Sequence, residues 1–210
     1  YIDLCMKKRS IESLQLDGGC LVFDFTNTIS TRKKESGFDY LSDYSEFLKW
    51  SGKVGLLPGN QLKVLKKVQQ KSEKLVSKSF RHLIHARDVL YALFSSISNK
   101  KPIDQTVLKE FNTLLSNSFS NISLQTIRNE FRISFYNESR LTDEPLNIIM
   151  KSAYDVLVNE DSARIKECPS CGWLFLDKTK NGKRRWCDMQ VCGSHDKALR
   201  YYYKIKEREI

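Results

Sequence analysis

Cys168-Pro-Ser-Cys171-Gly-Trp173, with fifteen residues separating Cys171 from the start of Cys187-Asp-Met-Gln-Val-Cys192, is the stretch that decides how the C-terminal part of this chain folds. Tetrahedral zinc takes four ligands, and thiolates are its preferred structural ones, with Zn–S near about 2.3 Å. A two-residue gap lets one tight turn present Cys168 and Cys171 to a single ion, and Gly172 suits the close backbone approach. The second pair leads into a helical run from about Ser194. A knuckle, a hairpin through Trp173–Trp186 and a ligand at a helix start together predict a treble-clef-like zinc finger holding one structural Zn2+. A redox CxxC centre would use Cys168 and Cys171 and leave the second pair unexplained. An iron–sulfur cluster can also take four cysteines, although the knuckle–hairpin–helix layout suits zinc better. His195, three residues past Cys192, is an alternative ligand to one of the sulfurs. Cys5 and Cys20 stand apart and carry no assigned role.

Past the last cysteine, the chain reads Asp196-Lys-Ala-Leu-Arg-Tyr-Tyr-Tyr-Lys-Ile-Lys-Glu-Arg208. On a helix, Lys197, Arg200, Lys204 and Arg208 recur at steps of three, four and four and form one basic stripe. Ala198, Leu199, Tyr202 and Ile205 face the other way, where packing on the finger or body is expected. Arg184 and Arg185, just before Cys187, could join the same surface. From Lys178 to Ile210 there are ten Lys and Arg against four Asp and Glu, a net of +6 out of +10 for the whole chain. Excess charge gathered at one end of a chain is the footprint of a polyanionic partner, with nucleic acid first. A solvated basic helix end, stabilised by its own dipole, is the plainer reading.

Upstream lies enough chain for a real core. Hydrophobic residues are 40% and charged residues 29% of the total, which excludes a disordered chain. Six cysteines are too few for a disulfide scaffold, and no apolar run is long enough for a transmembrane helix. No signal peptide is read at the N-terminus, so a cytoplasmic protein is expected.

The Gly18-Gly19 pair leads into the apolar, aromatic run Cys20–Ile29, either a strand or the start of a buried helix. Residues 39–51 have helical spacing, with Asp39 or Ser42 as cap. Helices follow over about 60–77 and 78–98, with a lysine stripe (Lys63, Lys67, Lys71, Lys74, Lys78) that a solvated face explains. Another runs over 104–118, capped by Asp104. Loose alternation over 121–137 predicts a β-hairpin, and helical periodicity returns over 143–165. The fold class expected is mainly α: a multihelical body over residues 1–165 with one small hairpin, joined directly to the finger at 166–210.

These residues carry a family resemblance. Cys171-Gly-Trp-Leu-Phe-Leu-Asp177, Asn181-Gly-Lys-Arg-Arg-Trp-Cys187-Asp-Met and Cys192-Gly193 resemble the CGNR zinc finger. That family is named for a Cys-Gly-Asn-Arg run at its last ligand. Here the run reads Cys192-Gly-Ser-His195, so the ligand is intact and the Asn and Arg are replaced; Ser194 could still cap. Gly18-Gly-Cys-Leu-Val-Phe-Asp-Phe-Thr-Asn-Thr28, with Arg32 and Trp50, is similar to the opening of the ABATE domain that precedes this finger. The resemblance implies a bacterial, stress-related transcription regulator with a ligand-binding-like helical body and a DNA-binding finger.

Two further readings concern the body. Asp24, Asn27, Thr28 and Arg32, with Arg87, could line a small-molecule pocket; the alternative is that they serve as caps and structural ion pairs. No nucleophile–base set, phosphate loop or open metal site is present, so an enzyme is not expected. The expected function is DNA binding by a regulator, as a homodimer if the target is palindromic. The alternative is a ligand- or protein-interaction module in which zinc only staples the C-terminus.

Overall fold

The computed structural model describes residues 9–33, 37–127, 129–137 and 140–206. The run after Gly18-Gly19 forms a short helix, α1 (Leu21–Thr26). Its Val22, Phe23 and Phe25 side chains are fully buried. Two glycines start it for different reasons. Gly19 has φ +74°, and a Cβ on Gly18 would meet the Asp24 backbone nitrogen at 2.6 Å. Phe23 packs edge-on to Phe94 at 4.9 Å, and Phe25 lies 5.4 Å from Trp50. An aromatic helical turn with Phe23 and Phe25 fully buried therefore lies in the core of the body.

Helix α2 (Tyr44–Lys53) is capped by Asp43, whose carboxylate accepts the Glu46 N–H. The expected caps, Asp39 and Ser42, are not used: Asp39 lies outside the helix and binds Arg87. Helices α3 (Gly59–Lys71) and α4 (Glu73–Ser98) meet at Ser72, several residues before the expected break. Ser72 sits where an N-cap belongs, and its carbonyl accepts the Val76 N–H. At 26 residues, about 39 Å long, α4 packs against α1, α2, α3 and the finger strands. Helix α5 (Gln105–Phe119) begins as expected, with Asp104 accepting from the Thr106 and Val107 N–H groups.

The hairpin is present as β1 (Ser123–Ile127) and β2 (Glu130–Ser134), antiparallel, with Leu124 opposite Ile133 and Thr126 opposite Phe131. Leu124, Phe131 and Ile133 do not enter the core; Phe131 is 78% exposed. Helix α6 (Glu144–Asn159) carries Pro145 in its first turn, where a missing N–H costs nothing. It packs on α5 and α1, and Ser152 accepts the Val22 N–H through its hydroxyl at 3.2 Å.

The C-terminal part differs from expectation in where its hairpin lies. Strand β3 (Ile165–Glu167) pairs antiparallel with β4 (Leu174–Leu176), so the Cys168–Cys171 knuckle is the hairpin's tip. The stretch from 177 to 186 is a loop, because Asp177 ends the strand. Its carboxylate accepts from the Thr179 N–H and hydroxyl and from the Arg184 N–H. A π-helical turn (Met189–Gly193) then leads directly into α7 (Ser194–Lys206). One continuous core joins the parts, since Trp173, Leu174, Phe175 and Leu176 are buried together with Phe23 and Phe94. No helix among the described residues is long and apolar enough to cross a membrane.

Candidate metal centre

The knuckle is built by two backbone hydrogen bonds. Cys168 N–H donates to the Trp173 carbonyl and Gly172 N–H to the Cys168 carbonyl, each at 2.8 Å. Gly172 has φ +79°, and a Cβ there would strike the Arg32 Cβ at 2.8 Å, so only glycine fits. The body grips this loop from outside. Arg32 N–H and the Thr31 hydroxyl both donate to the Cys171 carbonyl, and the Trp173 indole N–H donates to the Ile29 carbonyl at 2.6 Å.

The other two sulfurs come from the turn before α7. Asp188 caps that turn, its carboxylate accepting the Val191 N–H while its carbonyl accepts the Gly193 N–H. This is the service expected of Ser194, which instead opens α7 and reaches back to the Met189 carbonyl at 3.4 Å. The four Sγ atoms of Cys168, Cys171, Cys187 and Cys192 lie within 4.8 Å of one another. Cys171 and Cys187 are 3.5 Å apart, and Cys187 and Cys192 are 3.6 Å apart. A zinc tetrahedron with about 2.3 Å bonds has edges of about 3.8 Å, whereas a disulfide would need about 2.05 Å. The donor set fits one structural zinc ion and does not fit a bridge. Four thiols this close also share protons unevenly: hydrogen bonds from its neighbours push Cys168 down, while Cys171 and Cys187 are pushed up. A divalent cation relieves that competition by taking all four as thiolates. The shell is closed without His195, which is exposed on the first turn of α7. Cys20 is unlike the four, since burial pushes its thiol up to about 12 and leaves it unreactive.

The remaining residues singled out in the sequence fall into two groups. In the body, each of the five polar residues has an intramolecular partner. Asp24 accepts the Gly18 N–H at 2.9 Å, and burial raises its carboxyl to about 6. Arg87, 2% exposed, donates to both Asp39 oxygens at 2.8 and 2.7 Å and to the Thr28 hydroxyl at 3.0 Å. Arg32 donates to Asp88 and to the Thr26 carbonyl, with its guanidinium 4.3 Å over the Tyr91 ring. Asn27, 2% exposed, does something its type did not announce. Its amide donates to the Leu174 carbonyl at 2.8 Å and accepts the Leu174 N–H at 3.0 Å, as a neighbouring strand would. Beside it, Leu176 N–H donates to the Gly18 carbonyl at 2.9 Å. The signal for this seam was an amide inside an apolar run, which must be satisfied somewhere.

On the basic side, Lys197, Arg200 and Lys204 lie exposed along α7, with Arg200 paired to Asp196 at 2.8 Å. Arg185 is exposed and stacks on Trp186, whereas Arg184 is held inward over Phe175 and bonded to the Trp186 carbonyl. Arg208 lies outside the described residues. The apolar flank of α7 does not pack as expected. Leu199 and Ile205 are exposed, Tyr202 is 58% exposed, and no residue of the helix is buried. The helix rests on the Met189–Gly193 turn and leaves the body from there. The hairpin expected to receive that flank is not there: residues 177–186 form a loop in place of strands.

Compared with known families, residues 164–204 match the CGNR zinc finger. Residues 19–126 match ABATE, described as "Putative stress-induced transcription regulator". No curated protein matches the chain.

Proposed function

We propose, because this chain belongs to the ABATE family and carries a CGNR zinc finger, that it is a bacterial cytoplasmic transcription regulator whose zinc-anchored C-terminal helix contacts DNA. One observation carries the reading: α7 has thirteen residues, none buried, with cations and tyrosines exposed along it. Such a helix is about 20 Å long, and B-DNA's major groove is about 12 Å wide, enough to admit it. Lys197, Arg200 and Lys204 would neutralise phosphates, and tyrosine hydroxyls can donate to phosphate oxygens. Zinc then has a positional role. It fixes the turn that aims the helix, while the body receives a ligand or a second copy.

The test is fluorescence anisotropy with duplex DNA across a salt series, for the native chain and for K197E, R200E and K204E combined, with zinc content measured. Each phosphate contact contributes about 0.9 to the slope of log affinity against log salt, so the variant should flatten it by about 3 or lose binding. Absence of binding by the native chain at low salt overturns the reading. A second reading rests on the open apolar flank of Leu199, Tyr202 and Ile205 beside the basic stripe, which together suit a protein partner with an acidic-rimmed apolar patch. Under it DNA binding is absent in both chains.

A further inference from the structure

Glu144 is the first residue of α6 and is only 6% exposed. Among the described residues it has no cationic partner. Its one hydrogen bond is a long one, from the Gln61 amide nitrogen at 3.4 Å. The Gln61 amide oxygen is itself buried with no donor. Burial alone raises the Glu144 carboxyl, and no neighbouring charge of either sign contributes. In a chain with 35 Lys and Arg, a buried carboxyl left without a cation is unusual.

Both acceptors line one groove of about 320 Å³ between α3, the β1–β2 hairpin and the start of α6. That is at the low end of the range for small-molecule sites, about 300–1,000 Å³. Val64, Leu65 and Leu141 give it an apolar wall, and Gln125 and Tyr136 add an amide and a phenol at the rim. The groove therefore holds more acceptors than donors. The positive end of α6 offsets part of the Glu144 charge but donates no hydrogen bond to its carboxylate.

We infer that this groove is a binding site for a small organic ammonium ion with a short apolar stem, its charged head between Glu144 and Gln61. An ammonium carries three donors and no acceptor, which matches a carboxylate, an amide oxygen and a phenol. The stem would lie on Val64, Leu65 and Leu141. The inference names a site for the ligand assigned to the body in the proposed function. It is tested without DNA, so its failure and that of the DNA reading are separate.

The experiment is a ¹H–¹⁵N NMR titration of the zinc-loaded protein with 2-phenylethylammonium chloride, and in parallel with the neutral 2-phenylethanol. The expected result is saturable shifts at the Gln61 side-chain amide and at Leu65, Leu141 and Glu144, from the ammonium and not from the alcohol. Glu144→Gln keeps the shape and removes the charge, and should weaken binding by at least about tenfold, the worth of one charge-assisted hydrogen bond. Should that variant fail to fold, Val64→Lys, at an exposed position on the rim, tethers a competing ammonium at the mouth and should block binding without disturbing the core. Equal binding by the alcohol, undiminished binding in either folded variant, or shifts mapping elsewhere overturns the inference.

Discussion

Replacing Asn27 with alanine removes one side chain from the body but exposes a fault in the finger strand. Asn27 both donates to and accepts from Leu174, at 2.8 and 3.0 Å, and Leu174 is fully buried. The variant leaves one N–H and one C=O of β4 unpaired where water does not reach. An unsatisfied buried group costs about 1–3 kcal/mol, so the pair amounts to about 2–6 kcal/mol. With a urea m-value of about 3 kcal/mol/M, the midpoint should fall by about 0.7–2 M. Measurements at one fixed free zinc concentration keep metal linkage out of the difference. Asn27→Asp sharpens the test. It can still accept the Leu174 N–H, but it sets a charge against the Leu174 carbonyl, so it should be no more stable than the alanine variant. Zinc transfer to a chromophoric chelator should also quicken in both, because β4 leads directly out of the Cys168–Cys171 knuckle. A loss below about 0.5 kcal/mol with an unchanged m-value would refute the claim that this amide stands in for a strand.

Two further outcomes follow from the same geometry. Cys168→Ser should abolish stoichiometric zinc by elemental analysis and lower the whole unfolding transition. Structural zinc contributes on the order of 10 kcal/mol in small fingers, and here finger and body share one core; calorimetry showing an unshifted body transition contradicts that sharing. Asp24, raised by burial from 3.8 to about 6, makes the folded state bind more protons than the unfolded one. Its contribution to stability is therefore greatest below about pH 4 and declines as pH rises through about 6. Asp24→Asn, which can still accept the Gly18 N–H, should gain up to about 3 kcal/mol over the native chain above pH 6.5 and little at pH 4. Parallel stability curves over that range would count against the assignment.

Much of the metal centre was legible because its information is local: a two-residue gap and a four-residue gap are enough to bring thiolates together. Asp104 was legible for the same reason, as a cap two residues from its donors. The residues left between two readings were those whose partners are distant in the chain. Asn27 reads as a cap or a pocket residue until Leu174 is beside it, and Arg87 reads as a pocket residue or a structural ion pair until Asp39 closes on it. Helix α7 shows the converse. Its periodicity correctly marks an apolar flank, but periodicity cannot say whether a wall exists to receive that flank. The hairpin was placed one loop too late, because Trp173 and Trp186 suggested two strands while the Asp177 carboxylate folds the chain between them into a loop. The five polar residues of the body were recognisable as a group, whereas Asp39, Asp88 and Leu174, which bind Arg87, Arg32 and Asn27, were not.

The Asn27–Leu174 seam also has a consequence for how the protein is made. The two residues are 147 positions apart. At about 5–20 residues per second, a ribosome takes on the order of 10 s to travel between them. For all of that time the buried helix α1 lacks the strand that completes the hydrogen bonding of Asn27. Helix α1 must therefore wait, hydrated or chaperoned, for β4 to emerge. Metal loading and completion of the α1 seam are then coupled through β4, the strand that leads out of the Cys168–Cys171 knuckle and closes on Asn27.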